Sequence, residues 1–116
     1  MSQNNQIDYV ELSANDIAGT KLFYNTVFGW KFEDYGPDYS AFNDGRLAGG
    51  FDASIPARPG PSALVVIYSS DLEATEEAVR AGGGTITRPI FSFPGGRRFH
   101  FTDPSGNELA VWSDPA

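Results

Sequence analysis

Apolar and polar residues alternate along several short segments of the chain, and this period of two predicts β-strands. Three segments show it most clearly, with the apolar faces Val10/Leu12, Phe99/Phe101 and Leu109/Val111. Their second faces carry Tyr9, Glu11, Ser13, Arg98, His100, Thr102, Glu108, Ala110 and Trp112. We expect the apolar faces to pack beneath helices. A further segment, residues 64–68, is apolar on both faces, so we expect it to be covered on both sides.

Two segments have helical periodicity and lie at equivalent places in the two halves of the chain. When Asp16 is aligned with Asp71, two segments match in the same predicted order: a strand, an N-cap residue, a helix and a glycine that ends the helix. Asp16 or the residue before it can cap the first helix, and Gly29 stands where a C-terminal glycine belongs. In the second half, Ser70 and Glu73 fit a capping box.

Each predicted helix is followed by three strand-like segments, which are 30–35, 39–43 and 46–51, then 85–90, 97–102 and 107–112. Asp44-Gly45 predicts a hairpin turn, and Asp103-Pro-Ser-Gly106 fits a type I turn. The fold class is therefore α+β, with two tandem βαβββ modules in a single domain. We place module 1 at about residues 6–53, a Pro/Gly/Ser-rich linker at 54–61 and module 2 at about 62–113.

Composition and charge narrow the function classes. The net charge of −7 disfavours nucleic acid and anionic membranes as partners. The 116 residues include no cysteine, which excludes disulfides and thiolate metal ligands. No apolar run approaches the roughly 20 residues of a membrane span, and the polar N-terminus lacks a signal-peptide layout. We therefore expect a soluble cytoplasmic protein.

The second faces of the predicted strands have two interpretations. They could meet solvent, as one side of many antiparallel sheets does. Alternatively, the sheet could curl so that they line a cleft, which the apolar second face of Leu64, Val66 and Tyr68 favours. The segment 91–98 (FSFPGGRR) also has two interpretations. It could be a hairpin loop, or it could be a mobile lid that binds an anion.

Several of these segments together resemble the vicinal oxygen chelate superfamily, which includes glyoxalase I, bleomycin-resistance proteins and extradiol dioxygenases. The resemblance rests on Asp16 followed by Phe23-Tyr24, on 28–30 (FGW) and on 101–107 (FTDPSGN). It implies paired βαβββ modules that form a curved mixed sheet with a central cleft around a metal or ligand. It also implies a homodimer.

The resemblance assigns metal-ligand positions, and these fall on Tyr9, Leu64 and Ala110. Leucine and alanine cannot bind a metal, so we expect no metal cofactor and predict a protein that binds a small organic molecule in its cleft. An alternative divalent metal site would use Glu11, His100 and Glu108, which share a face by alternation.

The predicted ligand contacts are Tyr9, Leu64, Val66, Tyr68, Arg98, His100, Ala110 and Trp112. The alternative function is a lyase or isomerase of the same superfamily, in which His100 and Glu11 act as an acid-base pair or a non-standard metal site operates. His100 could instead make a structural hydrogen bond, and Glu11 could form a salt bridge with Arg98.

Overall fold

The computed structural model describes residue 4 and residues 7–56 and 63–116. The chain forms two compact units, Met1–Arg58 and Pro59–Ala116. Most of the predicted linker lies outside the described residues. Within them, each unit contains a helix and a four-stranded sheet in the predicted order, which confirms the α+β class and the βαβββ repeat.

Unit 1 contains β1 (Tyr9–Ser13), α1 (Ile17–Phe28), β2 (Lys31–Asp34), β3 (Tyr39–Asn43) and β4 (Ala48–Asp52). Its strand order is β1-β4-β3-β2, with β1 parallel to β4 and the other pairs antiparallel. Helix α1 ends as predicted, because Gly29 adopts a left-handed φ of 75° that an L side chain rarely takes.

Aromatic rings make the core of unit 1. Tyr24 of α1 stacks on Trp30 at a centroid distance of 4.6 Å and contacts Phe51 of β4 at 5.0 Å. Trp30 in turn stacks on Phe42 of β3 at 4.5 Å. Because Phe42 and Phe51 point towards the helix, the residues that alternate with them along the strands, and the ladder partners of those residues, point away from it. We call that side the second face of unit 1; it carries Tyr9, Glu11, Glu33, Tyr39, Ala41, Ala48 and Gly50.

Unit 2 contains β5 (Val65–Tyr68), α2 (Leu72–Ala81), β6 (Thr85–Phe93), β7 (Gly96–Thr102) and β8 (Glu108–Ser113). Its order, β5-β8-β7-β6, and its parallel β5–β8 pair repeat the topology of unit 1. The buried core comprises Leu72, Val79, Phe99, Phe101, Leu109 and Val111. The predicted apolar faces of β7 and β8 are confirmed. The opposite side is the second face of unit 2, with Val66, Tyr68, Arg88, Phe91, Arg98, His100, Glu108, Ala110 and Trp112.

The cap of α2 differs from the prediction. Its N-cap is Asp71, whose carboxylate accepts a hydrogen bond from the amide of Ala74 at 3.1 Å, so the capping box that began at Ser70 is wrong by one residue. Asp16 occupies the N-cap of α1 but makes no side-chain capping bond. Asp and Ser are both strong caps, which is why adjacent residues compete for this position in sequence.

The connection between β6 and β7 is shorter than predicted, and the turn between β7 and β8 is a type I turn as predicted. Most of the segment 91–98 is strand, and Pro94-Gly95 alone turns the chain, with Gly95 at a φ of 106°. At the β7–β8 turn, the amide of Gly106 donates to the carbonyl of Asp103 at 3.0 Å, as a type I turn requires. The buried Asp103 carboxylate also accepts from the Ser105 amide and from the backbone and side chain of Asn107.

The prediction that β5 is covered on both faces is wrong for one face. Leu64, Val66 and Tyr68 are exposed by 36%, 43% and 51%, whereas Val65 and Ile67 are half-buried. The strand lies at the edge of its sheet, so its outer side has no neighbouring strand in unit 2. Of the helices in the described residues, neither combines the length and apolar character of a membrane span.

Candidate functional site

A hydrogen-bonded cluster occupies the second face of unit 1. The Tyr39 hydroxyl donates to Oε2 of Glu11 at 3.0 Å, and the hydroxyls of Tyr9 and Tyr39 lie 2.5 Å apart. Because the single Tyr39 proton is used on Glu11, the Tyr9 hydroxyl is the donor in the second bond. The order of donation therefore runs from Tyr9 through Tyr39 to Glu11.

Gly50 makes room for this cluster. A Cβ atom at Gly50 would lie 2.6 Å from the Tyr9 hydroxyl oxygen and closer still to Tyr39. Gly50 pairs with Glu11 on one side and Ala41 on the other. The two tyrosines thus meet above a position that has no side chain.

Burial, together with the hydrogen bonds to Tyr9 and Glu11, raises the pKa of Tyr39 well above its usual range. The neighbouring Tyr35 donates to Glu33 at 3.1 Å, which also raises its pKa. Both phenols are therefore hydrogen-bond donors and stay protonated at neutral pH. This face combines phenol rings with carboxylates.

On the second face of unit 2, His100 lies beside Glu108. Its Nδ1 is 3.1 Å from Oε2 of Glu108, and its side chain is 12% exposed. The ladder pairs His100 with Ala110 and Thr102 with Glu108, so the His100–Glu108 contact is diagonal across β7 and β8. Nε2 of His100 is buried and has no hydrogen-bond partner among the described residues.

An aromatic ring lies next to this histidine, and two guanidinium groups lie near that ring. The Phe91 ring stacks with the imidazole at a centroid distance of 6.0 Å. The Arg88 guanidinium lies 3.6 Å from the centre of the Phe91 ring, and the Arg98 guanidinium lies 5.6 Å from it. The Nε atom of Arg98 is buried without a hydrogen-bond partner in the described residues. Positive charge and ring surface therefore lie together at the β6–β7 side of the sheet.

The β5–β8 side of the same face is more apolar. Tyr68 and Trp112 meet edge to face, with their ring centroids 5.1 Å apart. The Tyr68 hydroxyl donates to Asp114 at 2.7 Å, which raises the pKa of Tyr68. Val66 is exposed next to them in β5, and its ladder partner is Ala110.

Two of the three positions that the resemblance assigns to metal ligands carry no donor atom. Leu64 precedes β5 and Ala110 lies buried in β8 between Val66 and His100, and neither side chain carries a donor atom. Tyr9 holds its hydroxyl against Tyr39. Among the described residues, no group of three or more His, Asp or Glu side chains is placed to hold a metal ion.

The predicted site residues thus fall into two sets. Tyr9 and Glu11 lie together in unit 1, and the set in unit 2 comprises Val66, Tyr68, Arg98, His100, Ala110 and Trp112, with Leu64 just before its first strand. The pairing of His100 with Glu11 stays a prediction. Sequence reasoning missed Tyr39 and Phe91, and it considered Glu108 only as a metal ligand. Glu108 could have been found, because the Asp103–Gly106 turn fixes the register that brings it to His100.

The sequence matches a known protein family and individual relatives. The model of the Glyoxalase/Bleomycin resistance protein/Dioxygenase superfamily matches residues 6–111. The chain is 31% identical over 118 residues to a protein named putative glyoxylase CFP32 from Mycobacterium tuberculosis. That match covers 90% of this chain and 44% of the relative, so the chain spans less than half of that protein's length.

Solved structures share the fold at lower identity. A glyoxalase/bleomycin resistance protein/dioxygenase family enzyme from Burkholderia phytofirmans superposes with a TM-score of 0.80 at 18% identity, covering 93% of this chain and 99% of that one. The fosfomycin resistance protein FosX from Listeria monocytogenes, solved with Mn(II) and a dihydroxypropylphosphonic acid, gives a TM-score of 0.82 at 14% identity, covering 97% and 92%.

Proposed function

The chain belongs to the glyoxalase/bleomycin resistance protein/dioxygenase superfamily, and on that premise we propose that it binds a small organic molecule on the second face of unit 2, without the metal that the family commonly uses. The observation that carries this proposal is the exposed apolar surface of β5, which the half-buried Trp112 of β8 adjoins. Val66 and Tyr68 are 43% and 51% exposed, on the side of the sheet away from α2.

Aromatic surface of this kind suits a flat or partly apolar ligand. A Tyr or Trp ring offers a large contact area with few rotatable bonds, and ring pairs with centroids 4.5–7 Å apart are favourable by about 0.5–1.5 kcal/mol beyond area burial. Tyr68 and Trp112 are already held against each other, and Asp114 anchors the Tyr68 hydroxyl. Little side-chain entropy is therefore lost when a ligand packs on them.

Polar groups beside this surface would orient the ligand. His100 and Arg98 each have a buried nitrogen without a hydrogen-bond partner among the described residues. Binding sites typically combine apolar walls with a few such convergent polar atoms. The guanidinium group of Arg98 suits an anionic or carbonyl oxygen, whereas Nε2 of His100 suits either a donor or an acceptor, depending on its tautomer.

The absence of a metal is part of the proposal, because the positions that carry ligands in the family are here Tyr9, Leu64 and Ala110. We expect purified protein to contain no stoichiometric divalent metal by elemental analysis. Stoichiometric Zn, Mn, Ni or Fe that is lost in a Glu11→Ala variant would replace the proposal with the metal-dependent lyase or isomerase. We also propose a homodimer, which light scattering tests by the mass in solution.

A thermal-shift screen of metabolites and drugs tests the binding function directly, because a ligand of the native state raises the melting temperature. Hits are then titrated against Tyr68→Ala and Trp112→Ala. We expect each variant to weaken binding by at least tenfold, equivalent to about 1.4 kcal/mol. The matched control is Leu22→Ala, which removes another exposed apolar side chain, on α1.

Two results would overturn the proposal. One is a broad screen in which no compound raises the melting temperature. The other is a set of hits whose affinity falls equally in Tyr68→Ala and in the Leu22→Ala control.

A further inference from the structure

We infer that Glu108 fixes the tautomer of His100 and so makes Nε2 of His100 the hydrogen-bond acceptor for a ligand that carries a weakly acidic hydroxyl, a phenol or an enol. The inference rests on the proposed function, since it names the ligand class of that site. It gives Glu108 a role as a positioning residue.

The first step is the direction of the His100–Glu108 bond. An ionised carboxylate can only accept hydrogen bonds, so at 3.1 Å from Oε2 the Nδ1 atom of His100 has to carry the proton. A neutral imidazole carries one proton on its two nitrogens. With that proton on Nδ1, Nε2 presents a lone pair and acts as an acceptor.

The second step is that the backbone holds the pair in place. The carboxylate of Asp103 accepts three hydrogen bonds from Ser105 and Asn107 and so fixes the turn between β7 and β8. The ladder beyond the turn pairs Thr102 with Glu108 and His100 with Ala110. The diagonal contact therefore follows from the register, and on the β8 side the small Ala110 side chain brings no competing polar group to the imidazole.

The third step is the state of Nε2. The atom is buried and unpartnered among the described residues, and leaving a buried polar atom without a hydrogen bond is unfavourable. The rings and guanidinium groups nearby, of Phe91, Arg88 and Arg98, do not satisfy it. A hydroxyl donor supplies the missing bond.

The fourth step is access, because Nε2 has no exposed surface. Arg88 is exposed, lies directly opposite His100 in the ladder and belongs to the edge strand β6. Its guanidinium rests on the Phe91 ring at 3.6 Å. An aromatic ligand that displaces this exposed side chain would stack on Phe91, whose ring lies next to the imidazole, and so bring its hydroxyl towards Nε2.

The tautomer can be measured without any ligand. His100 is the single histidine of the chain, so protein labelled with 15N-histidine gives one imidazole spin system. In alkaline buffer, where an imidazole is neutral, we expect a protonated, pyrrole-type Nδ1 and a pyridine-type Nε2. Glu108→Ala should shift the population towards the Nε2–H form, and the matched control Glu77→Ala, on the exposed side of α2, should leave it unchanged. An Nε2–H form in the unmodified protein, or no response to Glu108→Ala, would overturn the inference.

The ligand class is tested with phenol and with anisole, its methyl ether, which lacks the hydroxyl donor. We expect phenol to shift the Nε2 signal and to bind about five- to tenfold more tightly than anisole, as one hydrogen bond allows. Glu108→Ala should remove most of that preference. Melting temperatures of the variants, which we expect to match the unmodified protein because Glu108 is about half-exposed, exclude unfolding as the cause.

The outcomes separate this inference from the proposed function. If phenol and anisole bind equally and both contact Tyr68 and Trp112, the ligand class is wrong and the binding function stands. If screened compounds bind but none affects the Nε2 signal, the role of His100 is wrong. If no compound binds to this face, the proposed function fails, and the ligand class falls with it.

Discussion

The clearest test of the packing on the second face of unit 1 is Gly50→Ala. A Cβ atom there would lie 2.6 Å from the Tyr9 hydroxyl and closer to the Tyr39 hydroxyl and ring. Real Cβ atoms essentially never approach another heavy atom within 3.0 Å, so a side chain has to move. The φ of Gly50 is not positive, so alanine can adopt the backbone conformation. The cost therefore comes from side-chain crowding.

Its magnitude follows from what has to move. Crowding a well-packed site costs about 1–3 kcal/mol. Displacing Tyr39 also breaks its bonds to Glu11 and Tyr9, each worth about 0.5–1.5 kcal/mol. Against this, replacing glycine by alanine stabilises by about 0.4–1 kcal/mol through the unfolded chain. Both bonds are exposed to solvent, so each contributes near the low end of its range, and we expect a net loss of about 2 kcal/mol in the free energy of unfolding.

The assay is urea unfolding followed by circular dichroism, in which stability falls linearly with denaturant. Gly50→Ala is measured alone and in a Tyr39→Ala background. Without the Tyr39 ring, the added methyl has space, and the exposed Tyr9 side chain can turn aside. The cost of Gly50→Ala should then fall below about 0.5 kcal/mol, which gives a coupling energy of about 1.5 kcal/mol.

Additivity would refute this reasoning. If Gly50→Ala costs about 2 kcal/mol in both backgrounds, Tyr39 is not what excludes a side chain at this position. Gly49→Ala provides the contrast, because its Cβ would meet the backbone carbonyl of Val10 as well as the Phe42 ring. The backbone cannot move away as a side chain can, so Gly49→Ala should lower the free energy of unfolding by more than Gly50→Ala does. Removing an aromatic ring should not recover that stability.

Three further predictions concern the turn and helix of unit 2. Asp103→Ala removes the acceptor of three buried hydrogen bonds and should cost about 2–3 kcal/mol in urea unfolding; a loss below 0.5 kcal/mol would contradict the role given to this turn. Asp71→Ala should lower the free energy of unfolding by about 1 kcal/mol, whereas Ser70→Ala should leave it nearly unchanged. The reverse order would mean that Ser70 is the N-cap after all. The hydrogen bond from Arg97 lowers the pKa of Glu73 below its ordinary 4.5, so this pair stabilises the fold above that pH and loses its effect as the pH falls through the lowered value. The stability difference between the unmodified protein and Arg97→Ala should therefore shrink below pH 4.5 and vanish in stronger acid, and a difference independent of pH would exclude the pair as its source.

Local signals were enough to predict the helices, strands and turns of the fold. Alternation identified the apolar faces of β1, β7 and β8, and Gly29 and the Asp103–Gly106 turn ended elements where expected. These signals act over a few residues, so one sequence carries them in full. The order of strands within each sheet was not predicted, because alternation alone does not specify it.

The site was harder to predict, because it depends on which strands are neighbours. Tyr39 belongs to β3, and its contact with Tyr9 across β4 requires both the strand order and a glycine between them. The expected burial of Val66 and Tyr68 was wrong, since an apolar side chain in a sequence does not show whether another element covers its face of the sheet. His100 was identified by its rarity, but its partner required the ladder register.

The parallel pairing of β5 with β8 has a consequence for the order in which unit 2 can form during synthesis. The strand that begins the unit finds its partner only when Leu109–Trp112 emerges from the ribosome, roughly 40 residues later. Until then, Val66 and Tyr68 are part of an apolar strand with neither edge paired. Nascent chains that stall before β8 would expose this segment to chaperones and to one another, whereas the hairpins from β6 onwards can pair as soon as they are made.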